Sequence, residues 1–151
     1  QIGYRCPPPI ADFAHAIQTG AGTASDAVRI VGHAHESHLV SWLVDELRAL
    51  RLQDPAATIG VVARNAEKFS RLLSRAITVV DAEELRPGNV HVVSVLAAKG
   101  LEFDTVIVAD ADDRSYPDSP ESRRALYVAV TRATHQLVLT WSGKPSPLIR
   151  P

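Results

Sequence analysis

Three stretches of this chain, TIGVVA at 58–63, VHVVSV at 90–95 and TVIVA at 105–109, are nearly unbroken runs of β-branched residues. A strand alternates its side chains between two faces, so a run with almost no polar alternate has no face to give to water. Strands of this kind are buried on both sides. Between them lie segments with apolar residues at helical spacing, Leu39, Val40, Leu43, Val44, Leu47 and Leu50, then Phe69, Leu72 and Leu73. Strand and helix in alternation predict crossovers onto a parallel sheet covered on both faces, and the expected fold class is α/β.

The same pattern sets the boundaries. A helix is expected after Pro7, Pro8 and Pro9, carrying Ile10, Phe13, Ala14 and Ile17 inward. Strands are expected at 28–31, 58–63, 79–80, 90–95, 105–109 and 136–141, and further helices at 66–76 and about 121–133. Asn65 stands where an N-cap belongs, and TGAGTASDA from Thr19 to Ala27 suits an exposed connection. With 151 residues, 46% of them hydrophobic, the expectation is one domain spanning 1–151. The absence of methionine and the start at Gln1 point to a piece of a larger protein.

Charge narrows the function. A formal net charge of -1 excludes a strongly basic nucleic-acid clamp, so any nucleic-acid contact must come from local patches. The lone Cys6 cannot form an intramolecular disulfide, and neither a signal pattern nor a membrane-spanning run is visible, which suggests a cytoplasmic protein with no membrane partner.

No GxxxxGK[ST] loop and no GxGxxG turn occurs, so the chain lacks its own cradle for a nucleotide's phosphates and is expected not to hydrolyse ATP alone. Two constellations imitate metal sites. His33, His35 and His38 with Glu36 lie at a helix start without cysteine partners or a shared i,i+4 face, and read as solvated residues. Asp110, Asp112 and Asp113 follow an apolar strand but have no phosphate loop in the same lobe, and read as a polar loop.

The strings AAKGLEFDTVIV at 97–108 and RRALYVAVTRA at 123–133 are more specific, and GYRCPPPI at 3–10 and Arg64-Asn65 at a strand end stand in order before them. In these four elements the chain resembles the C-terminal motor lobe of UvrD/Rep-type superfamily 1 helicases. The resemblance implies a RecA-like, P-loop NTPase-like sheet without its own phosphate loop. Arg132 and Arg5 would then act on the γ-phosphate across an interlobe cleft. Glu102 would meet the ribose or the closing cleft beside a tight turn at Gly100, and Tyr4 the adenine. Lys99 could reach a phosphate or pair with Glu102. ATP and Mg2+ would be held mainly by an N-terminal RecA-like lobe of the same protein.

For single-stranded DNA, with RNA left open, the resemblance implicates Ser94, Arg64 and Asn65. Arg64, Lys68, Arg71 and Arg75, spaced four, three and four apart, make a basic stripe suited to backbone phosphates. Ser94 replaces the family's usual Thr, and Leu96 a frequent His. Only 77–89 separates the Arg-Asn element from KGLEF, where unwinding relatives carry a long inserted subdomain. That likens the chain to members without the insertion, including RNA-polymerase-associated helicase-like proteins, and leaves an alternative open: a helicase-like interaction module that binds RNA polymerase or another nucleic-acid machine.

Overall fold

The computed structural model describes residues 7–19, 27–80 and 88–149. Helix α1 (Pro8–Thr19) precedes β1 (Val28–His33), α2 (Glu36–Gln53), β2 (Ile59–Ala63), α3 (Ala66–Leu73), β3 (Val90–Ser94), α4 (Val95–Ala98), β4 (Phe103–Val108), α5 (Pro120–Val130) and β5 (Ala133–Ser142). The five strands form one sheet in the order β1-β5-β4-β2-β3, every neighbouring pair parallel. The strands therefore all begin at one edge of the sheet and end at the other.

The β-branched runs are buried on both faces, and successive residues enter opposite cores. In β4 and just after it, Val106 and Val108 join a core with Ile10, Phe13, Leu126 and Val130, whereas Ile107 and Ala109 join one with Leu43, Leu47, Phe69 and Leu73. In β5, Leu137 and Leu139 face the first core and Val138 the second. Helices α1, α4 and α5 thus cover one face, and α2 and α3 the other. Gly60 in β2 keeps this packing tight: a Cβ there would lie 2.5 Å from the Phe103 ring.

The expected helices and strands are present, the short helix α4 was not expected, β4 and β5 begin two and three residues early, and three further shifts have visible causes. Helix α3 ends at Leu73 rather than Ala76, because Ile77 turns into the core and Arg48 Nη2 donates to the Ala76 carbonyl at 3.1 Å. Helix α5 ends at Val130 rather than Ala133. Thr131 Oγ1 donates to the Tyr127 and Val128 carbonyls at 2.8 and 3.1 Å, so the last turn is satisfied by side chains and Ala133 is released to pair with Phe103. Val79–Val80, expected as a strand, reduces to a parallel bridge between Val79 and Val90. The glycine-rich connection falls largely on 20–26, outside the described residues. Among the described residues no helix is long and apolar enough to cross a membrane.

Candidate functional site

The parallel sheet sorts the candidate residues to its two edges. Arg64, Asn65 and Ser94 lie where β2 and β3 end, with Lys68 and Arg71 on the helix that follows β2. Lys99, Gly100 and Glu102 lie just before β4, and Arg132 just before β5, at the opposite edge. Tyr4 and Arg5 lie outside the described residues.

At the edge where strands end, Asn65 caps α3 as expected, its Oδ1 accepting from Lys68 N at 3.2 Å. Ser94 does the same for α4, accepting from Ala97 N at 3.1 Å. Arg64 does not join a stripe. Its Nη1 and Nη2 donate to the two carboxylate oxygens of Glu121 at 2.9 and 2.8 Å, its Nε donates to the Ser115 carbonyl at 2.9 Å, and its guanidinium lies 4.9 Å from the Tyr116 ring centre. The bonds from Arg64 hold the Glu121 carboxyl below the usual carboxylate range and raise the arginine further. Lys68 pairs with Glu36 at 2.6 Å, and Arg75 lies in the turn beyond α3. Arg71 alone of the four is an exposed cation on the helix without an ion-pair partner among the described residues.

Two of the residues read as polar loop or solvated helix start behave otherwise. Asp110 is only 5% exposed, and its carboxylate accepts from Arg64 N at 2.9 Å and from Asn65 N at 3.2 Å, tying the end of β4 to the end of β2. Burial raises its pKa, and the two backbone donors oppose that rise. Asp112 does belong to a polar loop, accepting from Arg114 N and Ser115 N at 3.1 and 2.7 Å. His33 packs on Trp42, with ring centres 5.2 Å apart, and burial followed by His38 lowers its pKa. Among the described residues no group of His, Cys, Asp and Glu is placed to hold a metal ion.

At the edge where strands begin, two of the sequence strings meet. Phe103 N donates to the Arg132 carbonyl at 2.9 Å, and Phe103 pairs with Ala133 in the register of β4 and β5. The KGLEF loop and the TRA turn are therefore adjacent. Gly100 takes φ of +81°, a left-handed conformation in which a side chain is strained, and open space surrounds it. Glu102 and Lys99 are exposed. Arg132 is only 7% exposed; Nε donates to the Val128 carbonyl at 3.2 Å and Nη2 to Thr131 Oγ1 at 3.4 Å. No carboxylate pairs with it among the described residues.

Sequence reasoning missed Glu121 and Asp110. Glu121 stands two residues before the RRALYVAVTRA string, but its partner lies 57 residues away and no local spacing marks the pair.

A two-sided parallel domain without a phosphate loop, with its KGLEF and TRA elements joined at one edge, is of the helicase C-terminal type. The UvrD-like helicase C-terminal domain family matches residues 89–140, which contain both elements. The chain belongs to that family. The crystal structure of the C-terminal domain of a possible DNA helicase from Lactobacillus plantarum WCFS1 superposes with a TM-score of 0.79 at 30% identity, covering 96% of this chain and 91% of that one. The ATP-dependent DNA helicase UvrD2 of Mycobacterium tuberculosis is 39% identical over 39% of this chain and 10% of its own length. UvrD1 of the same organism is 36% identical over 45% of this chain and 10% of its own length. The match thus spans about a tenth of each of these helicases.

Proposed function

We propose that the chain is the second motor lobe of an ATP-dependent DNA helicase or translocase, completing an ATP site between lobes and part of a single-strand channel. Arg132 carries this reading. A guanidinium taken largely out of water without an anion is costly, and its only acceptors among the described residues are a carbonyl and a hydroxyl. An anion arriving from outside the lobe meets that need.

Bound ATP supplies a transferable γ-phosphoryl group, whose spreading negative charge a planar guanidinium fork stabilises. The residues proposed to contribute from this lobe would complete such a half-site. Arg132 faces the developing charge, aided by Arg5. Glu102 meets the ribose, with Gly100 permitting the turn beside it, while Lys99 adds a cation and Tyr4 an adenine platform. The phosphates and Mg2+ fall mainly to an N-terminal lobe of the same protein, which is the first partner of this one. Single-stranded DNA or RNA is the second, met at the opposite edge through Ser94, Asn65, Lys68 and Arg71.

The test uses the longer protein with both lobes. Arg132→Ala should lower single-turnover hydrolysis by on the order of a thousandfold while ATP affinity changes far less, because the lost interaction belongs to the transition state. Arg132→Lys should rescue poorly, lacking the fork. Normal turnover per folded molecule in a variant of lowered melting temperature would refute the catalytic role. It would favour instead a helicase-like interaction module that docks on RNA polymerase or a similar machine.

A further inference from the structure

Arg132 is held more firmly by its backbone than by its side chain. The guanidinium makes a 3.2 Å bond to the Val128 carbonyl and a 3.4 Å bond to Thr131 Oγ1, the second longer than a usual N–H···O bond. Its own carbonyl accepts from Phe103 N at 2.9 Å. Phe103 also grips the far side of the TRA turn, where its carbonyl accepts from Thr134 Oγ1 at 3.2 Å. The register breaks at this same place: Phe103 pairs with Ala133 and Thr105 with Gln136, so β5 carries one residue more than β4 over the stretch. A surplus residue in one strand bends it and re-aims the side chains beside it. The side chain beside this one is Arg132.

Phe103 is in turn fixed by its ring. The residue is buried, and the ring fills the gap left by Gly60 in β2, where a Cβ would stand 2.5 Å from Cδ2 and 2.6 Å from Cγ. Across that gap it reaches His91, the register partner of Gly60 on β3, with ring centres 6.1 Å apart. His91 is buried as well, and its Nδ1 lies 3.0 Å from the Val80 carbonyl; a carbonyl only accepts, so this nitrogen carries the hydrogen and the ring is oriented. In a close-packed interior a ring bounded in this way keeps its depth unless backbone or neighbours shift. We propose that Phe103 is a positioning residue for Arg132: the ring seated at Gly60 sets where the Arg132 backbone, and with it the guanidinium, stands. This rests on Arg132 acting on a phosphate, as read above, and names what aims it.

The experiment measures single-turnover ATP hydrolysis and, separately, ATP affinity in the longer protein with both lobes, with rates taken per folded molecule. Phe103→Leu keeps an apolar side chain but leaves the gap at Gly60 unfilled. Hydrolysis should fall by roughly tenfold to a hundredfold, the effect of a misplacement on the order of 1 Å, while affinity changes by less than about twofold. Thr134→Val removes only the hydroxyl bond to the Phe103 carbonyl, at a half-buried position, and should cost about fivefold, the equivalent of one neutral hydrogen bond. The deciding comparison is made without the guanidinium: added to Arg132→Ala, neither substitution should lower hydrolysis further, because nothing is left to misplace. A residue that only supports the fold would lower both backgrounds alike. Equal losses with and without Arg132, or normal hydrolysis by Phe103→Leu, therefore overturn the inference while the catalytic reading stands. Should Phe103→Leu fail to fold, Thr134→Val carries the same comparison alone. If Arg132→Ala by itself leaves hydrolysis intact, the catalytic reading falls and the positioning role with it.

Discussion

At the edge where the strands end, Arg64 has both ends of its fork on Glu121, its Nε on the Ser115 carbonyl and its plane against Tyr116. At the edge where they begin, Arg132 is more buried and yet, among the described residues, meets only a carbonyl and a hydroxyl. Both arginines belong to motif-like strings, and a sequence reader gives both to ligands. Their surroundings separate them: a fork already filled by a carboxylate ties the fold together, whereas a buried fork with no anion among the described residues is the one we propose receives a ligand. Position in a motif does not by itself free a side chain for a ligand.

The comparison can be broken in several places. Its largest expected effect is the thousandfold loss of turnover with Arg132→Ala, which has no counterpart at the other edge. Next comes Asp110→Ala, which leaves the partly buried N–H groups of Arg64 and Asn65 without their acceptor and should cost about 1–3 kcal/mol in denaturant unfolding. Asp110→Asn, which keeps one acceptor oxygen, should cost less. Equal, small losses for both would mean that water replaces the carboxylate and that this edge is not held as described.

Smaller again is the effect of Lys68→Ala with Arg71→Ala. Lys68 already pairs with Glu36 and Arg71 is exposed, so stability should change by at most about 1 kcal/mol. The salt slope for single-strand binding should fall by about 1.4 if both meet phosphates. An unaltered slope would make this edge structural throughout.

The smallest effect is in acid. Folded Glu121 titrates below its ordinary value, so its pairing with Arg64 adds stability that is fully present above the carboxylate range and is lost as pH falls through the depressed value. Asp110 titrates above its ordinary value, so its contribution declines as pH rises through that window. The Asp110 contribution is common to the native chain and Glu121→Gln and cancels between them. Melting temperatures of the two should differ at pH 7 and converge in acid; a gap independent of pH would show that the charge of Glu121 is not what holds Arg64.

The layered sheet was legible because burial on two faces imposes a composition on each strand: runs such as TVIVA have few other homes. The Asn65 cap was legible because a cap is a local event, three residues long. Ser94 and Gly100 were singled out through the family resemblance, and their local roles as cap and left-handed turn agree with the strings that carried it. The partner of Arg64 was not legible, since pairing between side chains brought together by tertiary folding leaves no period in the chain. Burial of Asp110 was hidden for the same reason, its acceptor role depending on where β2 ends rather than on its own neighbours. The ends of α3 and α5 were misjudged by three residues each, because the contacts found there, Arg48 reaching the Ala76 carbonyl from α2 and the Thr131 hydroxyl turning back on Tyr127, do not show in the apolar spacing of either helix.

Helix α5 is 11 residues long, a rod of about 16 Å. Its last turn receives the Nε bond of Arg132, and its first turn carries the Glu121 carboxylate that grips Arg64. A helix of this length is stiff along its axis, so a pull on the guanidinium at one end arrives at the carboxylate at the other as translation rather than bending. One short helix therefore joins the two edges of the domain, and a displacement of Arg132 beside the KGLEF loop would reach the ends of β2 and β4 through it.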